Sequence, residues 1–226
     1  LSLIRDRVGE KPLYYGWQQF DSSRIFLFGS ELKALKIHPS FSNEIDRDSL
    51  ALYMRYSYVP APYSIYKGIN KLEPGSILTV SIKNKDLKLE KYWDAINTVV
   101  EGSKDPFNDS FSVISNNLDE LLNETISNQM ISDVPLGAFL SGGVDSSTVV
   151  AIMQAQSSRP VKTFSIGFKE DAFNEAEYAK SVAKHLKTDH TELYVSSKDA
   201  LNVIPKLPQL YCEPFADSSQ IPTFLV

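Results

Sequence analysis

Between residues 94 and 109 the hydrophobic pattern of the chain changes period. Upstream, apolar and aromatic residues come in short runs at 1–5, 13–17, 24–28, 77–82 and 87–93, which predicts strands. Turn chemistry separates the runs: Gly9 and Pro12, then Asp21-Ser22-Ser23, then Leu72-Glu73-Pro74-Gly75-Ser76. Two helices are expected among them, over 30–35 and over 47–56, the second opened by Asp46 as N-cap. Downstream, Phe111, Ile114, Leu118, Leu121, Leu122, Ile126 and Met130 recur at three- and four-residue intervals, the mark of an amphipathic helix of about five turns. Strand 136–140, helix 146–156, strand 161–166, helix 175–186 and strand 191–195 then alternate, with Asn174 and Glu177 spaced as a capping box. Such alternation implies βαβ units and a parallel sheet. The polar stretch with Gly102-Ser103-Lys104-Asp105-Pro106 reads as a linker. The chain is therefore expected to be an α+β module over 1–93, a linker over 94–109 and an α/β module over 110–226.

Composition narrows the function classes. Of the 226 residues 42% are hydrophobic and 23% charged, which excludes a disordered or fibrous chain. A net charge of −5 advertises no surface for nucleic acid. No apolar run approaches the ~20 residues of a membrane-spanning helix. The single cysteine, Cys212, excludes an internal disulfide and a multi-cysteine zinc site, and reads as a small, partly buried residue. The chain opens at Leu1 in a strand pattern and stops at residue 226 inside an apolar helical pattern, with no signal peptide at its front. It reads as the inner stretch of a longer polypeptide.

The sharpest chemical signal is Leu140-Ser141-Gly142-Gly143-Val144-Asp145-Ser146-Ser147, where an apolar strand hands over to a helix. Gly142 and Gly143 are the only adjacent pair among ten glycines. Glycines there allow positive φ and close approach to bare backbone, and successive N–H groups form an anion-binding nest. The helix N-terminus behind adds unpaired N–H groups and partial positive charge. Ser141, Ser146 and Ser147 add hydroxyl donors, so the parts amount to a phosphate cradle. The chain contains neither Gly-x-x-x-x-Gly-Lys-[Ser/Thr] nor Gly-x-Gly-x-x-Gly. A hydrolase elbow is only half met, because Phe139 and Gly143 flank Ser141 at two residues' distance. Asp145 reads either as the helix N-cap or as a Mg²⁺ ligand beside the phosphates.

Residues 133–147, Asp-Val-Pro-Leu-Gly-Ala-Phe-Leu-Ser-Gly-Gly-Val-Asp-Ser-Ser, resemble the pyrophosphate loop of glutamine-dependent asparagine synthetases, members of the ATP pyrophosphatases. Further stretches agree in order. Residues 5–15, Gly29-Ser30-Glu31-Leu32-Lys33-Ala34-Leu35 and Leu72-Glu73-Pro74-Gly75 resemble the late part of that family's glutaminase domain. Thr163-Phe164-Ser165-Ile166-Gly167-Phe168 and Glu213-Pro214-Phe215-Ala216-Asp217-Ser218-Ser219 resemble parts of its synthetase domain. The resemblance implies the end of an Ntn-hydrolase-like domain, then a Rossmann-like parallel-sheet domain of the adenine nucleotide alpha hydrolase type. It implies a ligase using ATP and Mg²⁺ on aspartate and glutamine, through β-aspartyl-AMP, with no nucleic-acid or membrane partner. Residues 141–143, 145, 146 and 147 would hold the pyrophosphate, with Mg²⁺ on Asp145; Leu140, Ile166 and Gly167 would line the adenosine. A cytoplasmic location and a homodimer fit the same picture.

The family's glutaminase nucleophile is an N-terminal cysteine, which this chain lacks, and Cys212 stands in the other module. The expectation is that this stretch alone makes no asparagine. Alternatives stay open at this stage: a related amidotransferase, a β-lactam-synthetase-like enzyme acting on another carboxylate, or a non-catalytic nucleotide-binding protein. His38, His185 and His190 read as surface or satisfied histidines. Glu213 to Ser219 reads either as part of the acceptor pocket, by resemblance, or as carrying a helix cap at Asp217.

Overall fold

The computed structural model describes residues 1–168 and 176–225. The chain forms two compact units, Leu1–Pro106 together with Lys206–Asp217, and Phe107–Pro205 together with Ser218–Val226.

In the first unit β1 (Ser2–Ile4), β2 (Tyr14–Phe20) and β3 (Ser23–Gly29) precede two helices, α1 (Leu32–Lys36) and α2 (Arg47–Tyr56). Next come β4 (Asn70–Lys71), β5 (Ser76–Ser81), β6 (Asp86–Lys91) and α3 (Ala95–Lys104). Two antiparallel three-stranded sheets result, ordered β1-β5-β6 and β3-β2-β4. Strand period decides the packing. Tyr14 and Tyr15, successive in β2, point to opposite faces and join different clusters. Tyr14 packs with Leu27, Leu32, Leu35 and Ile65. Tyr15 packs with Leu3, Leu72, Leu78 and Val80. Asp46 caps α2 as expected, accepting from the N–H groups of Asp48 and Ser49. The loop from Arg5 to Pro12 is tied by Arg5, which donates to the carbonyls of Lys11, Leu72 and Gly9.

The stretch expected to be a linker contains a helix. Its residues 95–104 form α3, started by the Asp94 carboxylate on Asn97 N–H. The polar composition hid an N-cap followed by ten helical residues.

In the second unit α4 (Phe111–Gln129) leads to β7 (Gly137–Phe139), α5 (Val144–Gln156), β8 (Lys162–Phe168), α6 (Ala176–Leu186) and β9 (Asp189–Val195). The strands make a parallel sheet in the order β7-β8-β9, as the alternation predicts. Leu140, Val150, Ala179 and Ala183 form one cluster, with Ala138 and Leu186 against it. Ile126, Met153 and Val161 form another. Asn174 of the expected capping box lies outside the described residues. Helix α7 (Ser197–Val203) follows, opened by a capping box of Ser196 and Asp199. A single-turn helix α8 (Leu207–Leu210) belongs to the segment that packs with the first unit, and α9 (Gln220–Leu225) returns to the second.

Candidate functional site

The loop between β7 and α5 stands where β7 stops and β8 continues. The last β7 pair is Phe139 with Phe164, and Leu140 N–H donates to the Phe164 carbonyl at 2.8 Å. Beyond that point Ser165 to Phe168 extend past the loop, still paired with β9. The carboxyl ends of parallel strands are where open α/β sheets take ligands.

Within the loop two serines close a small ring. The Oγ atoms of Ser141 and Ser146 lie 2.9 Å apart. Ser141 N–H donates to Ser146 Oγ at 3.2 Å, and Gly143 N–H to Ser141 Oγ at 3.3 Å. Ser146 Oγ also donates to the Gly143 carbonyl. Two backbone donors that a phosphate could use thus rest on hydroxyl oxygens. Gly143 is the N-cap of α5 and makes no side-chain cap, so the first-turn N–H groups keep their polarity toward the loop.

Of the two readings of Asp145 the cap is set aside, because Gly143 holds that position. Asp145 instead sits exposed in the first turn. Ser147 Oγ is buried and has no hydrogen-bond partner among the described residues. These donors suit a Mg²⁺ carried in by a polyphosphate, since such an ion needs one or two carboxylates and takes its other oxygens from phosphate and water. They do not suit a protein-caged ion: among the described residues no group of three His, Cys, Asp or Glu side chains could hold one.

Gly142 and Gly143 have different jobs. Gly142 adopts φ +81°, and a Cβ there would stand 2.7 Å from Tyr178 Cβ and 2.8 Å from Ala179 N. The first turn of α6 therefore presses on the loop. Gly143 has φ −72°, and among the described residues a Cβ would meet only Ser141 Oγ, at 3.4 Å. Its bareness leaves room above the backbone.

Residues 141–143, 145, 146 and 147 share this one loop and helix start, with Leu140 at its base. Leu140 has its side chain buried among Val150, Ala179 and Ala183. Ile166 and Gly167 lie on β8 beyond the end of β7, paired with Leu193 and Tyr194. Sequence reasoning missed Tyr178 and Ala179 as supports of the loop. Ala176, Ala179 and Ala183 carried a signal, since small residues at that spacing let a helix approach closely. His190 is satisfied, its ring nitrogens 2.9 Å and 3.2 Å from the hydroxyls of Thr163 and Ser165. His38 likewise meets Ser40 Oγ at 2.7 Å.

Glu213 falls in the first unit. Its carboxylate accepts from Ile65 N–H and Tyr14 Oη and pairs with Lys71. Burial first, and the Glu213 carboxylate second, hold the Tyr14 phenol above its ordinary pKa, so Tyr14 stays a donor. No helix of the described residues is long and apolar enough to cross a membrane.

Residues 117–226 match the family model described as asparagine synthase, and residues 1–93 match the glutamine amidotransferase domain. A Methanocaldococcus jannaschii protein provisionally named asparagine synthetase 2, glutamine-hydrolysing, is 37% identical over 225 residues, covering 98% of this chain and 41% of that protein. Bacillus subtilis asparagine synthetase 1, glutamine-hydrolysing, is 32% identical over 223 residues, covering 98% of this chain and 33% of that protein. The chain thus spans well under half the length of these relatives. With one model matched on each side of α3, and relatives aligned across both, the chain belongs to the glutamine-hydrolysing asparagine synthetase family.

Proposed function

We propose that the intact protein makes asparagine from aspartate with glutamine as nitrogen donor and ATP as activating substrate. The aspartate side-chain carboxylate attacks the α-phosphate of ATP, pyrophosphate leaves, and β-aspartyl-AMP forms. Ammonia released from glutamine then displaces AMP. The first unit is read as the end of an Ntn-hydrolase-like glutaminase domain, and the second as part of a Rossmann-like ATP pyrophosphatase domain. A homodimer and a cytoplasmic setting belong to the same reading.

The observation that carries this reading is the β7–α5 loop, with Gly142 in the left-handed region beneath an exposed helix N-terminus. Negative charge gathers on the leaving pyrophosphate, and the loop offers fixed donors where that charge develops. Gly143 N–H, Ser141 N–H and the first-turn amides of α5 bind it, while the Ser141, Ser146 and Ser147 hydroxyls turn to donate. Ser146 and Ser141 already occupy the two backbone amides, so phosphate oxygens replace hydroxyl oxygens and strand no donor. Leu140, Ile166 and Gly167 line the adenosine side. Asp145 would hold Mg²⁺ against the pyrophosphate, and that ion would supply charge neutralisation.

Product analysis tests the reading. With ATP, glutamine and aspartate the intact protein is expected to yield AMP and pyrophosphate, and asparagine in equal amount. ADP with phosphate would overturn the loop assignment. AMP formed only with another carboxylic acid would keep the loop and replace the acceptor.

A further inference from the structure

Single exposed aromatic residues are ordinary and call for no function. Tyr178 is set apart by its place. It is the third residue of α6 and is 71% exposed, while Ala176, Ala179 and Ala183 of the same helix are buried. Ala179 and Ala183 pack with Leu140 and Val150, which draws α6 against the β7–α5 loop. A Cβ built on Gly142 would stand 2.7 Å from the Tyr178 Cβ and 2.8 Å from the Tyr178 carbonyl carbon. The ring is thus rooted on the backbone of Ser141-Gly142-Gly143, the stretch that carries two of the loop's amide donors. Among the described residues the Tyr178 hydroxyl has no hydrogen-bond partner. Tyr194 on β9, by contrast, donates to Glu192 at 3.0 Å.

Helix direction decides which way that side chain leans. α6 ends at Leu186 and β9 begins at Asp189, so the C-terminus of α6 lies at the amino ends of the parallel strands. Its N-terminus therefore lies at their carboxyl ends. Lys180 agrees with this level: its Nζ is 3.2 Å from Glu192, the β9 partner of Ser165, one pair beyond the end of β7. Side chains on a helix lean toward the N-terminus of their own helix. Tyr178, in the first turn, leans toward the carboxyl ends of the strands, where Ser165 to Gly167 run past the loop.

We propose that Tyr178 is a further pyrophosphate-binding residue: its hydroxyl donates to the terminal phosphates of ATP and to the pyrophosphate that leaves, while its ring shields them from water on the α6 side. The donors of the β7–α5 loop are backbone amides and short serine hydroxyls, all held by one stretch of chain. A phenol from α6 approaches from a second element, and a phosphate oxygen has lone pairs for both. Hydrogen bonds to a charged oxygen are the strong ones, so one added donor shows in affinity. AMP lacks the two terminal phosphates and gains nothing from Tyr178. This rests on the loop taking pyrophosphate, as proposed above.

The test uses the intact protein with Tyr178→Phe, which removes the hydroxyl, and Tyr178→Ala, which removes the ring. Both keep the Cβ that meets Gly142, so the melting temperature is expected to stay within about 2 °C of native. Inorganic pyrophosphate with Mg²⁺ and, separately, AMP are titrated into each protein by calorimetry. Affinity for pyrophosphate is expected to fall roughly fivefold to tenfold in Tyr178→Phe and further in Tyr178→Ala, with AMP affinity within about twofold of native in both. Unchanged pyrophosphate affinity in both variants overturns the proposal. So does a joint loss for pyrophosphate and AMP with a lowered melting temperature, which marks a merely structural role. Asp145→Ala separates the two levels. Pyrophosphate binding weakened there but kept in both Tyr178 variants overturns the Tyr178 assignment alone. A native protein that binds no pyrophosphate overturns the loop reading and this assignment with it.

Discussion

A Cβ placed on Gly142 would stand 2.7 Å from the Cβ of Tyr178, on a residue whose φ is already +81°. Both facts tie the loop to the first turn of α6. Gly142→Ala is therefore expected to destabilise the protein by roughly 1–3 kcal/mol, through backbone strain and a contact that only backbone movement relieves. Gly143→Ala, with its nearest contact at 3.4 Å, is expected to leave the melting temperature within about 2 °C. Thermal unfolding of the two variants side by side checks the contrast. Equal losses would contradict it.

Ser146→Ala removes the acceptor of Ser141 N–H and the partner of Ser141 Oγ. Ser141 is exposed, so water replaces these bonds and the stability change is expected to stay under about 1 kcal/mol. Affinity for ATP with Mg²⁺ is expected to fall roughly tenfold, as calorimetric titration would show. A large stability loss with unchanged affinity would make the serine ring a structural feature only.

Asp46→Ala removes the side chain that accepts from Asp48 and Ser49 N–H at the start of α2. A loss of about 1 kcal/mol in denaturant unfolding is expected, with Asp46→Asn recovering most of it. Equal losses in both variants would assign Asp46 a role other than the cap.

How much of this was open to a reader of the sequence depends on the distance over which each signal acts. The Asp46 cap and the turn chemistry are local, and both appear where expected. The Gly142-Gly143 pair marks the loop, but only packing on α6 tells the two glycines apart. Helical period placed α4, yet period reports shape and says little of burial: Phe111, Leu118 and Leu121 are 86%, 54% and 59% exposed, Ile114 and Leu122 are half-buried, and Ile126 is buried. α3 went unseen because its short apolar set, Ile96, Val99 and Val100, lies between polar residues and runs into Gly102-Ser103, and its start shows only when Asp94 is read as a cap. Glu213 lies 199 residues from Tyr14 and 148 from Ile65. No local pattern announces a pairing made over such distances.

Asp94 gives a pH dependence with a definite sign. The Lys91 ammonium first, and the Asn97 N–H second, hold its carboxyl below the ordinary 3.8. A carboxyl lowered in the folded state adds stability above its ordinary pKa, and that stability is lost as pH falls through the folded value. Exchange protection of α3 is therefore expected to decline as pH drops below about 4, less steeply at high salt. In Asp94→Asn the decline is expected to flatten. The same slope in both proteins would assign the pH effect to another group.

Direct titration of ATP with Mg²⁺ into the intact protein, native and carrying Asp145→Ala or Gly143→Val, tests the central claim most directly. The loop assignment predicts affinity at least tenfold weaker in both variants, with melting temperatures close to native. Unchanged affinity in both would contradict it and move the nucleotide away from the β7–α5 loop.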